Sequence, residues 1–131
     1  MLGLVLPRRP RVLLAEDHAE MATALCRLLA LDCDIVGNVS DGSAAVEAAQ
    51  RLQPDVIVLD VNLPKVHGLD ACRQITRVNP AATVIVITAT NDPEVRQRSI
   101  EVGAAAFVSK MAREGDGDLL STIKRLCGDR R

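Results

Sequence analysis

The sequence predicts an α/β fold, a five-stranded parallel sheet with helices on both faces, and three observations predict it. Val56-Ile57-Val58-Leu59 and Thr83-Val84-Ile85-Val86-Ile87 are continuous apolar, mostly β-branched runs bounded by turn residues, as expected of strands buried on both faces. Stretches of helical period separate these runs from each other and from further short strands, the alternation that βαβ crossovers require. The composition is 48% hydrophobic but only 1% aromatic, with Phe107 the single aromatic residue. The core must therefore be filled by Val, Ile, Leu and Ala, which suits helices layered on a parallel sheet.

The first strand is Arg11-Val12-Leu13-Leu14-Ala15, running into Glu16-Asp17. Met21, Leu25, Leu28 and Leu29 then follow the spacing of a helix that covers one sheet face and ends near Leu31. Asp34 to Val39 reads as a second strand. Asp41-Gly42-Ser43 opens a helix carrying Val46, Ala49 and Leu52, which Pro54 stops. The third strand ends on Asp60. A loop with Pro64 and Gly68 leads to a helix through Ala71, Cys72, Ile75 and Val78, closed by Asn79-Pro80. The fourth strand ends at Thr88, and a fourth helix starts at Asp92-Pro93 and runs to Gly103. Ala106-Phe107-Val108-Ser109 leads to Lys110, and Leu119, Leu120, Ile123, Leu126 and Cys127 form the stripe of a final helix. The doubly wound, flavodoxin-like order 2-1-3-4-5 is expected, because it places the first strand between the second and third and brings Glu16, Asp17 and Asp60 to the switch point of the winding.

With 131 residues the chain is one domain and needs no disulfide or metal staple. Residues 1–10 are expected to form a flexible tail and 11–131 the domain. Sixteen basic against seventeen acidic residues, with no long run of one sign, argue against a nucleic-acid or anionic-membrane footprint. Cys26, Cys33, Cys72 and Cys127 lack C-x-x-C spacing and fall in apolar patterns, so they are expected as free thiols in a reducing cytoplasm. The apolar part of the first ten residues is too short for a secretory signal, and its arginines follow it. No apolar run approaches the roughly twenty residues that span a bilayer.

Three carboxylates, Glu16, Asp17 and Asp60, and one ammonium, Lys110, thus meet at the carboxyl rim of one sheet. Crowded carboxylates repel one another unless a cation joins them, and Mg²⁺ takes a few such oxygens while retaining waters. The arrangement suits a divalent cation and a phosphoryl group. Glu16-Asp17 also fit a cap of the first helix, and Thr88, Phe107 and Lys110 each fit an ordinary structural role when taken singly. Their joint arrangement carries the functional reading. His18 and His67 lack a partner at metal-ligand spacing and are expected to be loop residues without a role.

From Arg11 to Cys127 the chain resembles the receiver (CheY-like) domains of two-component response regulators. Glu16-Asp17 resemble the family's acidic pair, Asp60 its phosphoacceptor, and Pro64 and Gly68 the Pro and Gly four and eight residues beyond it. Thr88, Phe107 and Lys110 resemble the switch hydroxyl, the switch aromatic and the lysine. The resemblance implies Mg²⁺ held directly by Asp17, Asp60 and the backbone carbonyl of Asn62, with Glu16 acting through water. It implies phosphorylation of Asp60 by a sensor histidine kinase or histidine phosphotransfer protein. It further implies a change in the face of the fourth helix, fifth strand and fifth helix, driven by Thr88 and Phe107. Asn62 and Thr90 resemble the positions that tune loss of the phosphoryl group. Such a domain is a phosphoacceptor switch that slowly dephosphorylates itself, not an enzyme with its own substrate.

Met111 stands where many receivers carry proline, so a trans Lys110-Met111 bond is expected. Together with Asp41-Gly42, Leu63-Pro64 and Gly68-Leu69, Met111 makes the chain similar to receivers of LuxR/NarL-type transcription regulators. Only five residues follow Leu126. An excised or stand-alone receiver is therefore expected, with no direct nucleic-acid binding, and Met111 to Asp118 is expected to be a mobile loop. A homodimer, through the fourth and fifth helices or the first and fifth, is among the expected partners. Other function classes fit less well. A haloacid dehalogenase-type phosphatase needs D-x-D where this chain has Asp60-Val61-Asn62, and a flavin module lacks Trp or Tyr for stacking. A phosphorylation-independent pseudo-receiver remains the main alternative.

Overall fold

The computed structural model describes residues 9–110 and 118–127. Its strands are β1 (Arg11–Ala15), β2 (Asp34–Val39), β3 (Val56–Asp60), β4 (Thr83–Thr88) and β5 (Ala106–Ser109), all parallel in the order β2-β1-β3-β4-β5. They alternate with α1 (Ala19–Leu29), α2 (Gly42–Leu52), α3 (Gly68–Val78), α4 (Pro93–Glu101) and α5 (Leu119–Cys127). The expected topology is the observed one. The expected loop at Met111 to Asp118 and the Lys110-Met111 bond involve residues 111–117, which lie outside the described residues, as do residues 1–8 of the expected tail.

Period-two alternation along the central strands builds two apolar layers. Leu13, Ile57, Leu59, Val84 and Val86 pack under α2 and α3, with Val95 and Val102 at the edge of that layer. Val12, Leu14, Val56, Val58, Ile85 and Ile87 pack under α1 and α5. Every residue of β3, Asp60 included, is buried. A carboxylate is therefore fixed at the end of the most enclosed strand.

Loop chemistry sets the element ends. Arg11 donates to the carbonyls of Gln53 and Leu52 at 2.9 and 3.0 Å, satisfying groups that the end of α2 leaves orphaned. Arg9 donates to the Ala30 and Cys33 carbonyls and to Asp34 Oδ1, at 2.8 to 2.9 Å. At the start of α2, Asp41 accepts the Ala44 N–H at 2.7 Å. That bond, above all, and then the neighbouring Lys65 hold its carboxyl below the ordinary range despite opposing desolvation. A depressed carboxyl pKa contributes stability above the unfolded-state value and loses it as pH falls through the folded one. Asp41→Ala is accordingly expected to lower the melting temperature by about 3 to 5 °C at neutral pH. Melting curves of the two proteins should converge as acid protonates Asp41.

Three helical expectations need correction. The first helix ends at Leu29, close to the expected Leu31, but Leu28, read as part of its core stripe, is 38% exposed, because it borders the open cavity between α1 and α5 with Leu31, Leu120 and Lys124. Val78, placed by its period on the core face of α3, is 63% exposed. At the last turn of α3 it lies over the crevice toward α2, beside Val46 and Ala49, beyond the sheet. His67 has a structural role: as N-cap of α3 its Nδ1 accepts the Leu69 N–H at 3.2 Å. The weak apolar stripe of α4 is as expected, with only Ser99 fully buried and Ile100 53% exposed.

Candidate functional site

Parallel register brings the site together. The Glu16 N–H bonds the Val39 carbonyl, that of Val61 bonds Ile87, and that of Lys110 bonds Thr88, at 3.0, 3.0 and 2.7 Å. The rim residues of β1, β3, β4 and β5 are thereby held at one level. Ligand-capable atoms of Glu16, Asp17, His18 and Asp60 all lie within 4.8 Å of one another.

Asp60 is 1% exposed, and its burial is tolerated because both oxygens are engaged. Oδ1 accepts the Asn62 N–H at 3.1 Å, and Oδ2 accepts from Lys110 Nζ at 3.1 Å. Lys110 Nζ also lies 2.6 Å from Glu16 Oε1, so the ammonium is shared between the two enclosed carboxylates. The other Glu16 oxygen accepts the His18 N–H at 3.1 Å. Burial by itself would lower the Lys110 pKa. Hydrogen bonding and charge from Glu16 and Asp60 outweigh it, and the net shift is upward, so the ammonium persists. Three carboxylates against one ammonium leave the pocket two negative charges in excess, an electrostatic demand for a cation. The convergence of carboxylate oxygens from Glu16, Asp17 and Asp60 fits a hard divalent ion such as Mg²⁺.

The other expected site residues are placed as follows. Asp17 stands at the mouth, its side chain 31% exposed, while that of Glu16 is fully enclosed. Asn62 is exposed beside Asp60. Thr88, 2% exposed, ends β4. Its Oγ1 accepts the Thr90 N–H at 3.3 Å, which leaves its proton to donate. Phe107 stands apart from the acidic cluster. Half-buried against the layer under α2 and α3, it borders a cavity of about 370 Å³ with Arg96, Ile100, Thr122 and Arg125.

Sequence reasoning missed His18. It is the N-cap of α1, and its Nδ1 lies 3.2 Å from both Glu16 Oε2 and Asp17 Oδ1. Position alone, next to two carboxylates at a helix start, was the available signal.

Pro64 and Gly68 serve the loop beneath the site. The Pro64 carbonyl accepts the Gly42 N–H at 3.1 Å, and the Gly68 N–H bonds Val61 at 3.1 Å. A Cβ on Gly68 would collide with the Asp60 carbonyl oxygen and come within 2.7 Å of the Val61 Cα. Both obstacles are main chain, so Gly68→Ala is expected to cost about 2 to 3 kcal/mol, read as a lower denaturant midpoint with unchanged m-value.

Comparison with known proteins agrees with this geometry. The sequence model of the response regulator receiver domain matches residues 12–124. The chain is 32% identical over 117 residues to the response regulator GacA of Pseudomonas viridiflava, an alignment covering 87% of this chain and 53% of GacA. It is 36% identical over 123 residues to protein-glutamate methylesterase/protein-glutamine glutaminase 4 of Hahella chejuensis, covering 92% of this chain and 31% of that protein. The chain thus spans about half of the first relative and a third of the second. Among solved structures, the signal receiver domain of the NarL response regulator from Mycobacterium tuberculosis superposes with a TM-score of 0.86 at 25% identity, covering 95% of this chain and all of that one. A LuxR-family two-component response regulator from Aurantimonas sp. SI85-9A1 gives a TM-score of 0.86 at 25% identity, covering 95% and 89%.

Proposed function

Because this chain belongs to the response regulator receiver domains, we propose that Asp60 accepts a phosphoryl group at the rim of its sheet, with Glu16, Asp17, Asn62, Thr88 and Lys110 around it. The observation that carries this reading is the buried Asp60 carboxylate, held at 3.1 Å by Lys110 and within ligand distance of the acidic pair. In the transfer, an Asp60 oxygen forms a bond to phosphorus. The bond from phosphorus to the donor nitrogen or oxygen breaks, and its electron pair leaves with the donor.

Asp17, Asp60 and the Asn62 carbonyl would hold Mg²⁺, with Glu16 behind them. When bound, the ion neutralises charge on the phosphoryl oxygens and orients the donor. Lys110 supplies a second positive charge at Asp60 Oδ2. Glu16 keeps that ammonium charged and in place. The Thr88 hydroxyl, its lone pair already engaged by Thr90 N–H, donates its proton to the new phosphoryl group. Drawing Thr88 inward perturbs the start of α4, the helix with the poorest apolar anchorage, and Phe107 adjusts beside it. The α4, β5 and α5 face is the proposed output surface.

The phosphoryl donor is proposed to be a sensor histidine kinase or a histidine phosphotransfer protein, and homodimerisation is proposed as one form of output. A cytoplasmic location accords with three buried cysteines, Cys72 being pushed up to about 11 by burial. Among the described residues, no helix is long and apolar enough to cross a membrane. Incubation with acetyl phosphate followed by intact mass measurement tests the proposal. One phosphoryl adduct is expected with Mg²⁺ and none with EDTA. Binding of a kinase without any adduct, whatever the donor, would favour a phosphorylation-independent interaction module.

A further inference from the structure

We infer that His18 supplies an imidazole ligand, through Nδ1, to first-row transition ions at the acidic cluster, whereas Mg²⁺ is held there by oxygens alone. The inference rests on the reading of Glu16, Asp17 and Asp60 as a divalent-cation site. His18 Nδ1 lies 3.2 Å from Glu16 Oε2 and 3.2 Å from Asp17 Oδ1. Ligand atoms about 2.1 Å from a common metal are separated by roughly 3.0 Å in an octahedron and 3.4 Å in a tetrahedron. The nitrogen therefore already stands one polyhedron edge from two of the carboxylates.

The ring is held at the cluster by a hydrogen bond between Nδ1 and Glu16 Oε2 at 3.2 Å, and the backbone beside it is fixed as well. The His18 N–H donates to Glu16 Oε2 at 3.1 Å, and the His18 carbonyl accepts the Ala22 N–H at 2.9 Å, in the first turn of α1. The side chain makes no capping bond to the helix; Nδ1 is turned to the carboxylates, and a bound ion would replace its present contact with Glu16 Oε2. At 69% side-chain exposure the ring also leaves an open path for an entering ion. Imidazole nitrogen favours Co²⁺, Ni²⁺ and Zn²⁺, while Mg²⁺ favours oxygen. The consequence is a receiver site whose metal preference is broader than its carboxylates alone would give.

The chain has two histidines, and His67 Nδ1 is occupied by the Leu69 N–H, so His67 is an internal control. Histidine-selective ¹⁵N labelling of the full chain, with Zn²⁺ and then Mg²⁺ as probes, reads the ligation directly. Zn²⁺ is expected to move the His18 ring-nitrogen signal and leave His67 unmoved, while Mg²⁺ leaves both nearly unmoved. By calorimetry, His18→Ala should weaken Zn²⁺ about tenfold or more and change Mg²⁺ less than about twofold. Competition between the two ions confirms that they share the site. Zn²⁺ bound competitively with Mg²⁺ but without a His18 shift, or an equal change for both ions in His18→Ala, would overturn the inference while leaving the cation site standing. Failure of the wild type to bind either ion would overturn both.

Discussion

Asp60→Asn is expected to abolish the phosphoryl adduct, leaving the fold intact. The asparagine amide keeps the shape of the side chain but removes the nucleophilic charge, and no other carboxylate in the cluster combines burial with contact to Lys110 and the Asn62 N–H as Asp60 does. Glu16 is equally enclosed, but its oxygens are turned to Lys110 and to the His18 backbone. The adduct yield after acetyl phosphate and Mg²⁺ should fall below about a hundredth of wild type. An unchanged circular dichroism spectrum would show that the loss is chemical. The same substitution removes one of two excess negative charges, so the variant should melt at or above the wild-type temperature in EDTA.

Lys110→Ala is expected to act in the opposite direction on stability. Its side chain is 7% exposed and is the ammonium shared by Glu16 and Asp60. Without it, two enclosed carboxylates face each other and Asp17 with no protein cation between them, a loss of about 3 to 5 kcal/mol. For a domain of this size that corresponds to a fall of roughly 10 °C or more in melting temperature. Mg²⁺ should restore part of the loss, because it meets the same electrostatic demand. Lys110→Arg restores the charge but not the geometry of a compact ammonium, so it should recover stability better than phosphorylation. A Lys110→Ala variant as stable as wild type in EDTA would show that the pair contributes little.

Legibility in the sequence followed the physics of each residue. Asp60 could be read because a doubly buried strand cannot hold a carboxylate except at its end, and β3 is buried throughout. Glu16, Asp17, Thr88 and Lys110 could be read because each is the residue at, or next to, the end of a strand, and the strand order then forces them together. Leu28 and Val78 could not be placed correctly, since periodicity gives the face of a helix but not how far the sheet extends beneath it. The histidines were missed for a different reason. Imidazole is not among the usual capping side chains, yet His67 caps α3 through Nδ1 and His18 stands at the cap of α1 facing the carboxylates. Gly68 was legible only as part of a family pattern. Its physical reason, the Asp60 carbonyl and Val61 Cα pressed against it, is a tertiary contact that no local spacing encodes.

The most direct measurement is the chemical location of the phosphoryl group. After reaction with acetyl phosphate and Mg²⁺, borohydride reduces an aspartyl phosphate to homoserine, and peptide mass spectrometry then reads the modified position. Homoserine at residue 60 and nowhere else is the predicted result. Homoserine at Asp17 or another acidic residue, or no conversion in a folded chain that binds Mg²⁺ and has been offered phosphorylated histidine donors, would contradict the assignment of Asp60 as the phosphoacceptor.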